Sequence, residues 1–180
     1  MKAPALIVGL LASTIAIAQT NVVVGPGYVR EQKPVTPIRY ELPGGWRNDP
    51  EAAKKIGVFA VLLPNGKTID TTSVAITIAF QKKNQKVPSL ATLDGFFRAD
   101  VQNTLAQFPK MEGARWQPSG LDPTKVNYRS LEMWGDKSSP HRFVILETDD
   151  GFFSVSLTVE TRADLEKPEF DAFFNSLSLQ

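Results

Sequence analysis

Between Val74 and Gln81 large apolar side chains alternate with smaller or more polar ones: Val74, Ile76, Ile78 and Phe80 against Ala75, Thr77, Ala79 and Gln81. Period two predicts a strand whose first set turns toward a core. Residues 57–63, Gly-Val-Phe-Ala-Val-Leu-Leu, are apolar almost throughout and too short for a helix, which predicts a strand covered on both faces. Asn65-Gly66 then signals a tight turn. Farther on, Phe153, Val155, Leu157 and Val159 alternate with Ser154, Ser156, Thr158 and Glu160. Residues 142–148 and 152–161 therefore predict a hairpin joined at Asp149-Asp150-Gly151. Shorter strands are expected at 38–42, 114–117 and 126–134. The first of these runs into Pro43-Gly44-Gly45-Trp46, where the glycines permit a turn and the indole can fold back as an apolar plug.

Two segments carry the helical period instead. Leu93, Phe97, Val101 and Leu105 recur every four residues, extended by Leu90 and Phe108, while Arg98, Asp100, Gln102 and Asn103 take other faces. This predicts a helix over 89–108 with its apolar stripe on the core. Ser89 and Thr92 are both suitable N-caps, Asp94 suits the helix dipole, and Pro109 stops the helix at Phe108. The second helix begins near Pro168, with Phe170, Phe173, Phe174 and Leu177 on one side. Burying four such side chains contributes about 6 to 12 kcal/mol before entropy is subtracted. That is comparable to the net stability of a domain, so this helix is expected to be docked on the sheet.

The N-terminus has a different texture. Lys2, an apolar stretch from Ala5 to Ala18, and Ala16-Ile17-Ala18 before Gln19 form the three-part pattern of a secretory signal peptide. About 14 apolar residues reach only about 21 Å as a helix, short of a hydrocarbon core of about 30 Å, so cleavage after Ala18 is expected rather than anchoring. No later stretch is apolar for long enough to span a membrane. The expected location is periplasmic or secreted. Prolines at 26, 34, 37, 43 and 50, with Gly25 and Gly27, make residues 19–36 an expected extended arm. Residues 37–180 are then expected to form a single α+β domain. The chain has no cysteine, so burial and not cross-linking must hold that domain together. Its 20 basic and 19 acidic residues balance once Lys2 is removed, which offers no general attraction to nucleic acid or anionic lipid. Lys82, Lys83 and Lys86 form a local cluster that reads as a solvated strand end.

Reactive chemistry is thinly represented. His141 is the only histidine, with Glu147 or Asp136 as conceivable partners for acid–base work. Glu132, Glu147 and Glu160 fall on predicted strands, where paired carboxylates could serve glycoside cleavage. There is no Gly-x-Ser-x-Gly elbow, phosphate loop, His-Glu-x-x-His or thiol, and Asp149-Asp150-Gly151 lacks the spaced ligands of an EF-hand. No cofactor or metal is implied. Aromatic residues are plentiful: Trp46, Trp116, Trp134, and paired phenylalanines at 96–97, 152–153 and 173–174. Most serve burial between sheet and helices. The three tryptophans are the candidate partner-binding residues.

Strands near Tyr40, Val58 and Ile76, a long helix, four antiparallel strands and a closing Phe170-x-x-Phe173-Phe174-x-x-Leu177 helix resemble the Mog1/PsbP-like fold over about residues 36–180. The Pro43-Gly44-Gly45-Trp46 element and the terminal Asn175-Ser176-Leu177-Ser178-Leu179 agree with it. The resemblance implies an antiparallel sheet with helices packed on its two faces, an α/β/α sandwich. It also implies accessory or binding work, since its members include lumenal photosystem subunits, a nuclear-transport factor, bacterial envelope proteins and effector chaperones. No active-site residue carries over. With the export signal, the bacterial envelope branch is favoured. The expected function is that of an exported, non-catalytic envelope accessory protein contacting another protein or an envelope component; the alternatives are a carrier of a small apolar ligand and a hydrolase.

Overall fold

A computed structural model of the chain describes Pro34, residues 37–135 and residues 138–180. The expected signal peptide lies outside the described residues, as does the arm apart from Pro34. Seven antiparallel strands form the main sheet: β2 (Trp46–Asn48), β3 (Ala60–Pro64), β4 (Ala75–Lys82), β5 (Met111–Ala114), β6 (Tyr128–Gly135), β7 (His141–Glu147) and β8 (Gly151–Thr158). Their order across the sheet is β2-β3-β4-β8-β7-β6-β5. A small second sheet pairs β1 (Ile38–Arg39) with β9 (Ser178–Leu179). The helices are α1 (Pro50–Ile56), α2 (Pro88–Ala91), α3 (Leu93–Gln107) and α4 (Pro168–Asn175), with a 3₁₀ turn at Arg162–Glu166 before the last. The fold is α+β, as expected.

Register explains the layering. Ile76, Ile78 and Phe80 of β4 stand opposite Leu157, Val155 and Phe153 of β8, and Val155 stands opposite Val144 of β7, so these side chains share one face. On that face α4 buries Phe170, Phe173, Phe174 and the following Leu177. The opposite face holds two apolar clusters. Val61, Leu63 and Ala75 pack under Ala52 and Ala53 of α1, and Phe143, Ile145, Phe152 and Met133 pack under Leu90, Leu93 and Phe96 of α2 and α3. Sheet between helices is the expected sandwich.

Several local expectations require correction. Helix α1 was not anticipated, although its ends are marked: Asp49 caps it by accepting from the Ala52 N–H, Pro50 starts it, and Gly57 closes it at φ 74°. Residues 57–59 consequently belong to a helix terminus and loop, and the strand begins at Ala60. The helix expected over 89–108 is broken at Thr92, which is extended and caps α3 through the Gly95 N–H. Its buried face is also rotated: Phe96 and Asp100 are buried, whereas Leu105 is exposed. The strand expected at 114–117 ends at Ala114 instead, and the C-terminal residues add β9 beyond the expected helix.

Candidate functional site

The early end of β5 shapes a cavity at the edge of the sheet. β5 covers β6 only from Glu132 to Gly135, and at Arg115 the chain swings out and returns at Val126. Pro118 and Pro123 keep this excursion from pairing as a strand. Between the excursion and α3 runs a groove of about 760 Å³. Phe97 of α3 forms one wall, Trp116, Leu121 and Val126 the other, and residues Tyr128 to Leu131 of β6 the floor. The volume lies within the usual range of ligand sites, about 300–1,000 Å³.

The outer wall is fixed in place. Trp116 packs edge-on against Phe174, with ring centres 4.9 Å apart, and Leu121 is buried in the α4-side core. Asn175 at the end of α4 accepts from the Gly120 N–H at 2.8 Å and donates to the Ser119 hydroxyl at 3.0 Å. A Cβ on Gly120 would lie 2.6 Å from Asn175, so the close approach requires glycine. The groove is therefore preformed rather than made by a loose loop.

Its charge is one-sided. The only ionised lining residues are Arg115 and Arg129. Arg129 is paired with Asp94 of α3 at 2.8 Å, whereas Arg115 has no ion-pair partner among the described residues. Behind Trp116 lies a charge cluster built on the buried Arg142, with Asp171 at its exposed rim. The Arg142 guanidinium sits 4.2 Å from the Trp116 ring centre, bonds Glu132 across the strand pair and reaches Asp171 of α4 at 2.6 Å.

The three candidate tryptophans are half-buried and lie apart. Trp46 packs edge-on against Phe170 at 5.6 Å. Trp134 carries the Arg162 guanidinium 3.6 Å from its ring centre and donates to Glu112 at 3.1 Å. Trp116 alone lines the groove. Sequence reasoning missed Phe97 as a wall residue, having assigned it to the core, and missed Arg115, Arg129 and Tyr128 altogether. The available signal was Pro118 and Pro123, which mark where β6 loses its neighbour.

The candidate reactive residues are not brought together. His141 is 3 % exposed, stacks on Phe143 at 5.9 Å between ring centres, and burial pushes its imidazole down to about 4. Glu147 shares its sheet face but stands at the far end of β7, about 20 Å along the strand, paired with Lys83 at 2.9 Å. Asp136 lies outside the described residues. Glu132 projects from the opposite face to pair with Arg142, and Glu160 takes the Ser73 hydroxyl. Within the lysine cluster, Lys83 is tied to Glu147 and to the Thr148 carbonyl. Among the described residues no group of three or more His, Cys, Asp or Glu is placed to hold a metal ion, and no helix is long and apolar enough to cross a membrane. Between α3 and the sheet Phe96 stacks on Phe152, with ring centres 5.1 Å apart.

One buried ionisable group was not expected. Asp100 sits one turn beyond Phe96 and Phe97 on the sheet side of α3, 8 % exposed, and its carboxyl has no hydrogen-bond partner among the described residues. Burial pushes it up to about 7.

No family model and no curated protein matches the sequence. Similar solved structures include LpqN of Mycobacterium tuberculosis, involved in cell envelope biogenesis, which is 12 % identical with 89 % of this chain and 99 % of that chain covered at a TM-score of 0.48. Cyanobacterial PsbP (CyanoP) from Synechocystis sp. PCC 6803 is 15 % identical over 83 % of this chain and 95 % of that chain, TM-score 0.47. PA94 of Pseudomonas aeruginosa, a protein of unknown function, is 17 % identical over 74 % of each chain, TM-score 0.38. At these identities the likeness is one of fold alone.

Proposed function

We propose that this chain is an exported, non-catalytic accessory protein of the cell envelope that works by contact with another protein. The observation that carries the reading is the preformed groove along β6, walled by aromatic and aliphatic side chains and lined by arginine without a carboxylate. Such a surface suits recognition, because apolar walls supply burial while a few fixed polar groups set orientation. The groove holds no acid–base pair: its lining has neither histidine, aspartate nor glutamate. The N-terminal pattern of Lys2, an apolar core and Ala16-Ile17-Ala18 supports an export route. Of the three candidate tryptophans, we place Trp116 in the contact, with Trp46 and Trp134 holding α4 and the 3₁₀ turn to the sheet.

The test is crosslinking of the full chain in intact cells, followed by fractionation and mass spectrometry. A reproducible envelope protein recovered with the wild type, and lost with a Trp116→Ala chain whose cooperative thermal transition shows that it folds, is the expected result. Recovery of the chain from the cytoplasmic fraction alone, or no reproducible partner, overturns the reading.

A further inference from the structure

The hydrogen-bonding parity of β6 identifies what the groove is able to hold. The Glu147 N–H donates to the Asn127 carbonyl at 2.9 Å, and the β6–β7 register runs from Tyr128↔Leu146 to Met133↔His141. Bonded and non-bonded pairs alternate along an antiparallel ladder, so residues 127, 129, 131 and 133 bond inward to β7. The N–H and C=O groups of Tyr128, Ser130, Glu132 and Trp134 then point outward. Glu132 and Trp134 meet Ala114 and Glu112 of β5; Tyr128 and Ser130 have no strand opposite them. The place of a continued partner falls to Trp116, but its carbonyl is taken by the Ser130 hydroxyl instead of the Ser130 N–H. Among the described residues, neither the Ser130 N–H nor its C=O nor the Tyr128 N–H has a protein partner. Open backbone groups at the floor of an apolar-walled groove are a template for one more strand.

We infer that the β6 edge from Tyr128 to Leu131 is a strand-addition site for an extended, acidic segment of a partner protein. The inference rests on the accessory reading above and deepens it. Roughly four residues, about 13 Å of strand, fit the open length. Side chains of the added strand alternate between the two sides of the sheet: one set meets Phe97 and Leu131, the other Val126 and Trp116. Acidic residues follow from the charge of the site, where Arg115 has no ion-pair partner among the described residues and no lining carboxylate opposes an anion. A lipid-like anion would use Arg115 and the apolar walls but would leave the Ser130 N–H and C=O and the Tyr128 N–H unbonded, which is why a polypeptide is the better occupant; the Tyr128 C=O already accepts from the Arg129 guanidinium at 2.8 Å.

The test pans a displayed library of random short peptides against the full chain, then follows the enriched peptides by amide NMR and hydrogen exchange. Expected are peptides with alternating apolar positions and net negative charge, which slow exchange at the Tyr128 and Ser130 amides. Arg115→Glu, an exposed change, weakens them about three- to fivefold. Ser130→Pro, which removes the outward N–H, abolishes binding while the thermal midpoint of the variant confirms that it folds. Enriched peptides that protect amides elsewhere overturn this site and leave the accessory reading standing. Absence of enrichment over the Arg115→Glu chain overturns the strand-addition site, and groove-residue shifts produced by dodecyl phosphate but by no peptide overturn the protein partner as well.

Discussion

The Arg142 guanidinium lies 4.2 Å from the centre of the Trp116 ring while bonding Glu132 and Asp171, so one buried cation joins β6, β7, α4 and the groove wall. The Arg142 side chain is 4 % exposed and that of Glu132 16 %, which makes the pair sensitive to loss of either partner. Removing the cation strands a desolvated carboxylate, an effect of about 3 to 5 kcal/mol at buried pairs. Arg142→Ala is expected to lower unfolding free energy by about 3 kcal/mol in urea titrations. Arg142→Lys recovers only part of it, because an ammonium neither stacks on the indole nor forks to two carboxylates. Equal stability of the lysine variant and the wild type would refute the planar role.

Asp100 and His141 impose opposite pH dependences. In the folded chain the Asp100 carboxyl titrates near 7 against an ordinary value of 3.8, so the folded state holds an extra proton between those limits. The stability it contributes is complete below pH 3.8 and is lost as pH rises through 7, at about 1.4 kcal/mol per unit. Asp100→Asn is expected to leave stability unchanged below pH 4 and to raise it by on the order of 4 kcal/mol at pH 8. Chemical denaturation across pH 4 to 8 measures this directly.

His141 works the other way. Its imidazole titrates near 4 when folded and at the ordinary 6.5 when unfolded, so its contribution is complete above 6.5 and is lost as pH falls through 4. Over the interval shared with Asp100 the two slopes nearly cancel. His141→Phe, which keeps a ring beside Phe143, is expected to expose the falling slope of Asp100, and Asp100→Asn the rising slope of His141. If the single variants titrate in parallel with the wild type, neither group is buried as described.

Gly95 sits where α2 meets α3. A Cβ there would lie 2.5 Å from the Pro88 carbonyl oxygen and 3.1 Å from the Thr92 hydroxyl that caps α3. Alanine is the better helix former by about 1 kcal/mol, yet the backbone contact cannot yield cheaply. Gly95→Ala is expected to destabilise by about 1 to 3 kcal/mol, read as a lower thermal midpoint. A rise in midpoint would show that the corner relaxes.

Phe173 and Phe174 anchor α4, each at most 1 % exposed. Phe173→Ala is expected to cost about 3 to 5 kcal/mol, and truncation after Arg162 to abolish cooperative unfolding. A truncated chain with a sharp thermal transition would contradict the role given to this helix.

Period-two runs at 74–81 and 152–159 were legible as strands because each alternates cleanly between a buried and a less buried face, and the Phe170, Phe173, Phe174 spacing was legible as a docked helix for the same reason at period 3.6. Caps at Thr92 and Phe108 also read through, being local hydrogen-bond chemistry. Asp100 did not, since nothing along the chain distinguishes an acid on a wet helix face from one turned under the helix by the break at Thr92. Likewise the groove depends on β5 leaving β6 at Ala114, a matter of which strands meet across twenty intervening residues or so. Local pattern thus determined the elements and their order along the chain; only tertiary pairing decided which edge stayed open and which charge was buried, because hydrogen-bond satisfaction and desolvation are properties of neighbours distant in sequence.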